Sequence, residues 1–339
     1  MNMNVKSKLR ISRRTILLTS LLITVLFTTL FVYTLTTDIT IPSLDNNGND
    51  DVYSVGTERA LKTAINTKQT TPIIITLKRD ITLTEALRIP DDKKITLTSN
   101  GDEFFKLIGA DKCYTLVIEN GGVLNIDGLI VTHENGASGN GIRVYPGGTL
   151  ILSKGKISDN SAARIGGAYD DGGGVYNEGD FKMLGGEISG NNATLFGGGV
   201  LNKGTFSMSG GTISKNIAGP WAVRYSGSGG GIAGSGGGVY NIGTFSMSGG
   251  TISKNIAGEG GGVRNSDKFN MYGGEISGNA VNFKGYEDLF GDYGDLIYSW
   301  IGGDGGGVYN DGTFNRLGGT IFGNTAPRHN DVYSYVIVG

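Results

Sequence analysis

Apolar residues fall into two patterns along this chain. The first is a block: residues 15–37 carry no charged side chain and are dominated by Leu, Ile, Val and Phe. At about 1.5 Å of rise per residue, such a run reaches roughly 34 Å as a helix, enough to cross a ~30 Å hydrocarbon core. Lys6, Lys8, Arg10, Arg13 and Arg14 precede it with no acid among them. A basic flank stays in the cytoplasm, so residues 1–14 read as a cytoplasmic tail and everything after Asp38 as extracellular. The apolar core is long and no alanine closely follows it, which favours an uncleaved transmembrane signal anchor over a cleaved signal peptide. Residues 38–52 are polar, acidic and rich in Asn and Gly, the composition of a flexible linker.

The second pattern is alternation. Residues 57–66 (TERALKTAIN) form the one helical exception, with Thr57 as N-cap and Ala60, Leu61, Ala64 and Ile65 on one face. Short strand-like runs follow at 73–77, 81–84, 95–98, 114–118, 123–126 and 150–152. From Gly172 the runs recur as copies. GGGVYN at 172–177 returns as GGGVLN at 197–202, GGGVYN at 236–241, GGGVRN at 260–265 and GGGVYN at 305–310. Each copy leads into an aromatic-centred run (DFKM, TFSM, TFSM, KFNM, TFNR) and then a unit such as GGEISGN or GGTISKN.

Each unit of about 25 residues holds three short strands, too short to bury a face alone; stacked units bury a continuous interior. Alternation sends Val175, Phe181, Met183 and Ile188 inward, repeated by Val200, Phe206, Met208 and Ile213, with about 4.8 Å between equivalent residues. Corner asparagines form two further columns. One is Asn177, Asn202, Asn241, Asn265 and Asn310; the other is Asn160, Asn191, Asn216, Asn255, Asn279 and Asn324. Stacked amides satisfy one another, so both columns read as structural.

Composition agrees. Sixty of the 339 residues are Gly and only six are Pro, which suits many tight corners and not a collagen. One Cys and two His leave little for a disulfide scaffold, a zinc site or a histidine-based triad. Setting aside the five basic residues of the tail leaves 24 Lys+Arg against 31 Asp+Glu, a net charge of about −7 that argues against nucleic acid as partner. No metal-binding motif is present.

The units GGGVYN…GTFSMSGGTISKN resemble the repeats of adhesin-like surface proteins of bacteria and methanogenic archaea. These belong to the pectin-lyase-like superfamily, and short GG-[AIV] motifs are also similar to chlamydial polymorphic outer-membrane proteins. The resemblance covers about 53–339 and implies an all-β, right-handed, single-stranded parallel β-helix of about eight or nine coils behind an N-terminal capping helix. It implies a membrane-anchored surface protein that binds a polysaccharide or a cell-surface protein. Two alternatives stay open: a carbohydrate-active enzyme of the same fold, with a calcium-dependent lyase among its forms, and a structural envelope protein. Polygalacturonase-like members carry NTD, DD, GHG and RIK motifs, of which this sequence has only the DD, so the enzyme reading is the weaker one.

Candidate chemistry concentrates in the connectors between the second Asn and the next GGGV. Their lengths are 11 (161–171), 5 (192–196), 19 (217–235), 4 (256–259) and 25 (280–304) residues, and all are expected at one corner of the coil. The long ones carry both tryptophans. Tyr169, Trp221, Arg224, Tyr225, Tyr286, Asp288, Tyr293 and Trp300 are the candidate binding residues, since aromatic planes beside charged groups suit sugar rings. Should the chain be an enzyme, Asp170, Asp171, Asp292 and Asp295 are the candidate catalytic acids, because glycosidic chemistry needs paired carboxylates. A second outward column follows each Val, Tyr176, Leu201, Tyr240, Arg264 and Tyr309; it either shields a flat sheet, the favoured reading, or offers a partly aromatic stripe on which a glycan could stack. His133 is expected on a coil corner. The uncharged run 332–338 (VYSYVIV) is strand-like, and self-association through it is expected unless it folds back.

Overall fold

The computed structural model describes residues 52–68, 72–99, 104–162, 172–219, 234–282 and 303–334, with the backbone of the pairs 39–40, 223–224 and 231–232. The described chain is all-β apart from one helix, Glu58–Asn66. Thr57 caps that helix by accepting from the Ala60 amide, and Ala60, Leu61, Ala64 and Ile65 are buried against the first strands, as the sequence pattern requires. Among the described residues no helix is long and apolar enough to cross a membrane; the expected span at 15–37 lies outside them.

The strands are stacked in parallel, curled into a solenoid. One sheet has nine strands, running from Leu87–Ile89 through Leu116–Ile118, Ile142–Val144, Val175–Asn177, Val200–Asn202, Val239–Asn241, Val263–Asn265 and Val308–Asn310 to Val332–Ser334. An 18-stranded sheet holds the aromatic-centred and TIS-type strands, and a narrow four-stranded sheet closes the loop with Asn192–Ala193, Ile217–Ala218, Ile256–Ala257 and Ala280–Val281. From Val175 onward the copies align residue for residue, Val on Val, Phe on Phe, Ile on Ile. The last strand, Val332–Ser334, pairs within the chain, so the start of the expected edge run folds back onto the sheet.

Register turns the repeated letters into interior columns. Phe181, Phe206, Phe245 and Phe269 are at most 1% exposed. Their rings stack at 4.7, 4.7 and 4.6 Å, with 6° between planes. Aromatic pairing of this kind adds ~0.5–1.5 kcal/mol per pair beyond the area buried.

The GGG run has a steric cause. Its first glycine, Gly197 for example, is in the left-handed region at φ +66. A Cβ on the second, Gly198, would stand 2.5 Å from the Ile217 carbonyl oxygen and 2.6 Å from that of Gly237, so any side chain there would wedge coils apart. A different corner shows what is tolerated. Asp159, Gly190, Lys215, Lys254, Gly278 and Gly323 share one column, each with φ between 58 and 68, so two lysines adopt a conformation for which glycine is better suited.

Candidate binding surface

Eleven of the residues singled out in the connectors, Tyr169, Asp170, Asp171, Trp221, Tyr225, Tyr286, Asp288, Asp292, Tyr293, Asp295 and Trp300, lie outside the described residues. Arg224 is described in its backbone alone, where Val223–Arg224 pairs antiparallel with Gly231–Ile232, so the 217–235 connector carries a small ribbon. Among the described residues no group of three or more His, Cys, Asp and Glu is placed to hold a metal ion.

The described chemistry gathers on the outer face of the nine-stranded sheet. The column Arg143, Tyr176, Leu201, Tyr240, Arg264, Tyr309 and Tyr333 is fixed by strand register. At its start the column covers the sheet and does not stand open. Tyr176 is only 7% exposed and Leu201 only 3%, although their inward neighbours Val175 and Val200 fill the core, so the outer face is covered there as well. Some of the rings are engaged by neighbouring side chains: Phe196 stacks on Tyr240 at 4.9 Å, while Tyr309 and His329 each meet Tyr333 at 4.8 Å in a tilted contact. The arginines and a lysine take further faces, Arg143 over Tyr145 (4.6 Å) and Tyr176 (4.8 Å), Lys203 over Tyr176 (4.9 Å), and Arg264 over Tyr309 (3.9 Å).

The same cluster is built twice. Arg143 lies over Tyr176 of the next coil and bonds Glu178 at 3.0 Å; Arg264 lies over Tyr309 of the next coil and bonds Asp311 at 2.9 Å. In both, the acid follows the corner asparagine. Each guanidinium leaves one buried nitrogen without a partner, Nε of Arg143 and Nη1 of Arg264.

Around Arg264 the cluster is richer. Glu259 stands 3.4 Å from Arg264 Nε, and Ser235 Oγ donates to it at 3.4 Å. The next coil's Asp304, only 5% exposed, is held by Arg328 and His329, each at 2.9 Å. Burial pushes the Glu259 carboxyl above its usual range; Arg264 opposes this, while Asp311 and Asp304 reinforce it. Burial, reinforced by Glu259, lifts the Tyr309 phenol to about 12, so it stays neutral at ordinary pH.

The sign of the Glu259 effect gives a test. A carboxyl whose folded pKa is raised contributes stability that is fully present below its ordinary 4.5 and lost as pH rises through the raised value. Glu259→Gln should therefore melt above the parent at neutral pH, with the difference vanishing below pH 4.5. A lower melting point for the variant at neutral pH would show that the contact with Arg264 outweighs the burial penalty.

Glu178, Glu259, Asp311, Arg328, His329 and Tyr333 escaped sequence reasoning, because they meet only after coils are brought into register. One signal was available: Arg143 and Arg264 share a column, and an acid follows the asparagine in the next coil of each. No protein-family model matches the chain, and comparison with curated proteins and with solved structures found no match.

Proposed function

We propose that this is a membrane-anchored, cell-surface adhesin-like protein of the pectin-lyase-like kind, a right-handed parallel β-helix of about eight or nine coils. In this reading residues 15–37 hold it in the membrane and the solenoid stands outside. It binds a glycan or a surface-protein partner through the outer face of the nine-stranded sheet and the connectors beside it.

The observation that carries this reading is where the two Arg–Tyr–acid clusters sit. The strand bearing Arg143 and the strand bearing Tyr176 are separated in sequence by the 161–171 connector; those bearing Arg264 and Tyr309 are separated by 280–304. In each case a long insertion separates the two halves of the cluster in sequence, and the guanidinium keeps an unspent buried N–H. Loops on a rigid scaffold are where binding residues concentrate. The face offers hydroxyls, partly engaged rings and charged groups, which suits partners rich in oxygen acceptors.

The test uses the full chain in detergent with neutral and acidic polysaccharides, calcium present, reading both retention and polymer length. Retention of intact polymer is expected, and it should disappear when 283–302 is replaced by a short Gly-Ser bridge while the β-sheet circular dichroism is unchanged. Shortened polymer would instead make the chain a carbohydrate-active enzyme and direct attention to Asp170, Asp171, Asp292 and Asp295. The absence of both retention and cleavage would sink glycan binding.

A further inference from the structure

Both asparagine columns run in one direction. In the longer one, the backbone N–H and side-chain Nδ2 of each Asn donate to Oδ1 of the Asn in the next coil: Asn160 to Asn191, Asn191 to Asn216, Asn216 to Asn255, Asn255 to Asn279, Asn279 to Asn324. In the shorter one, Nδ2 donates in the same sense from Asn177 through Asn202, Asn241 and Asn265 to Asn310, at 2.6–2.7 Å. A directional chain of amides has an acceptor end and a donor end, and each needs a partner of opposite kind when buried.

Three of the four ends have one. At the start of the longer column, Asn160 is oriented by its donor contacts to Asn191, Val131 and Ser158, which leaves its Oδ1 facing His133 Nδ1 at 2.9 Å. The buried imidazole therefore occupies an asparagine's place as donor, with its proton on Nδ1. At the far end Asn324 donates to the Asp331 carboxylate, through its backbone N–H at 3.2 Å and Nδ2 at 3.0 Å. The shorter column ends on Ser334 Oγ at 3.0 Å. Its start is different. Asn177 is fully buried, its Oδ1 has no partner, and the residue in register one coil earlier is Val144.

We infer that the two columns are directional, end-capped amide chains that fix the polarity and register of coil stacking, with His133 and Asp331 as dedicated caps and the Asn177 end left open. Direction matters because a coil stacked in the reverse sense would set donor against donor or acceptor against acceptor.

The open end gives a test that runs against ordinary expectation. Replacing a core Val by Thr keeps the shape but buries a hydroxyl, which normally destabilises. At Val144 that hydroxyl stands in register with the unpartnered Asn177 oxygen; at Val175, equally buried, the neighbours in register are Ile142 and Val200. Thermal unfolding of the full chain in detergent should place Val144→Thr at or above the parent and Val175→Thr clearly below it. Equal losses would overturn the open end. The His133 cap is tested separately: His133→Asn, which keeps an N–H donor, should lose less melting temperature than His133→Leu, and an equal or reversed order would overturn it.

Discussion

Replacing Phe245 by alanine is expected to cost about 3–5 kcal/mol, one of the largest losses available to a single substitution in this protein. Its ring is fully buried and stacked on both sides, on Phe206 at 4.7 Å and Phe269 at 4.6 Å. The residues around the vacated space belong to strands pinned on both sides by parallel neighbours, so the hole cannot collapse cheaply. Phe314, at the end of the same column, is the comparison: it is only partly buried and stacks on Phe269 at 4.9 Å. Denaturant unfolding should show a loss for Phe314→Ala well under that for Phe245→Ala. Similar losses would mean that the column contributes by hydrophobicity at each site and not through continuous stacking.

Asn216→Asp changes one atom group and is expected to cost about 3 kcal/mol or more. Asn216 Oδ1 accepts from the Asn191 N–H and Nδ2, and an aspartate could still do that. The Nδ2 position is the difficulty. It donates to the Ile188 carbonyl at 2.9 Å and to Asn255 Oδ1 at 2.9 Å, so a carboxylate would bring a second oxygen against two acceptors in a fully buried site. The near-isosteric variant should therefore lose at least as much stability at neutral pH as Asn216→Ala. Acidification should recover part of the aspartate variant's loss, because a protonated carboxyl regains a donor. An aspartate variant that melts with the parent would contradict a fully buried, fully used amide.

The interior was legible because repetition writes it several times. Val, Phe, Met and Ile recur at fixed offsets in each copy, and alternation assigns them inward without reference to any partner. The Thr57 cap and the buried face of the helix were equally local, so they could be read from ten residues. The earlier strands were placed less sharply: 123–126 and 150–152 are parts of longer strands, Val123–His133 and Thr149–Ser158, which continue through Gly128 and Gly155 where a turn would be read. The candidate surface was the least legible. Arg264, Tyr309 and Asp311 span 47 residues of sequence, and only coil register makes them neighbours. Nor does alternation reveal that Tyr176 and Leu201, pointing away from the core, are covered nonetheless.

Residues 204–219 and 243–258 are the same sixteen letters in successive coils. A coil whose upper surface fits a copy of its own lower surface is an interchangeable part, and the count of such parts sets the protein's reach. Nine strands in one sheet give eight steps of ~4.8 Å, or roughly 38 Å of stacked height. Duplicating one coil would lengthen the molecule by a single step without altering either end, and an insertion at the GGGV corner would move with it. Height and surface chemistry can thus be adjusted independently, the first by copying DNA in whole units and the second by lengthening a connector.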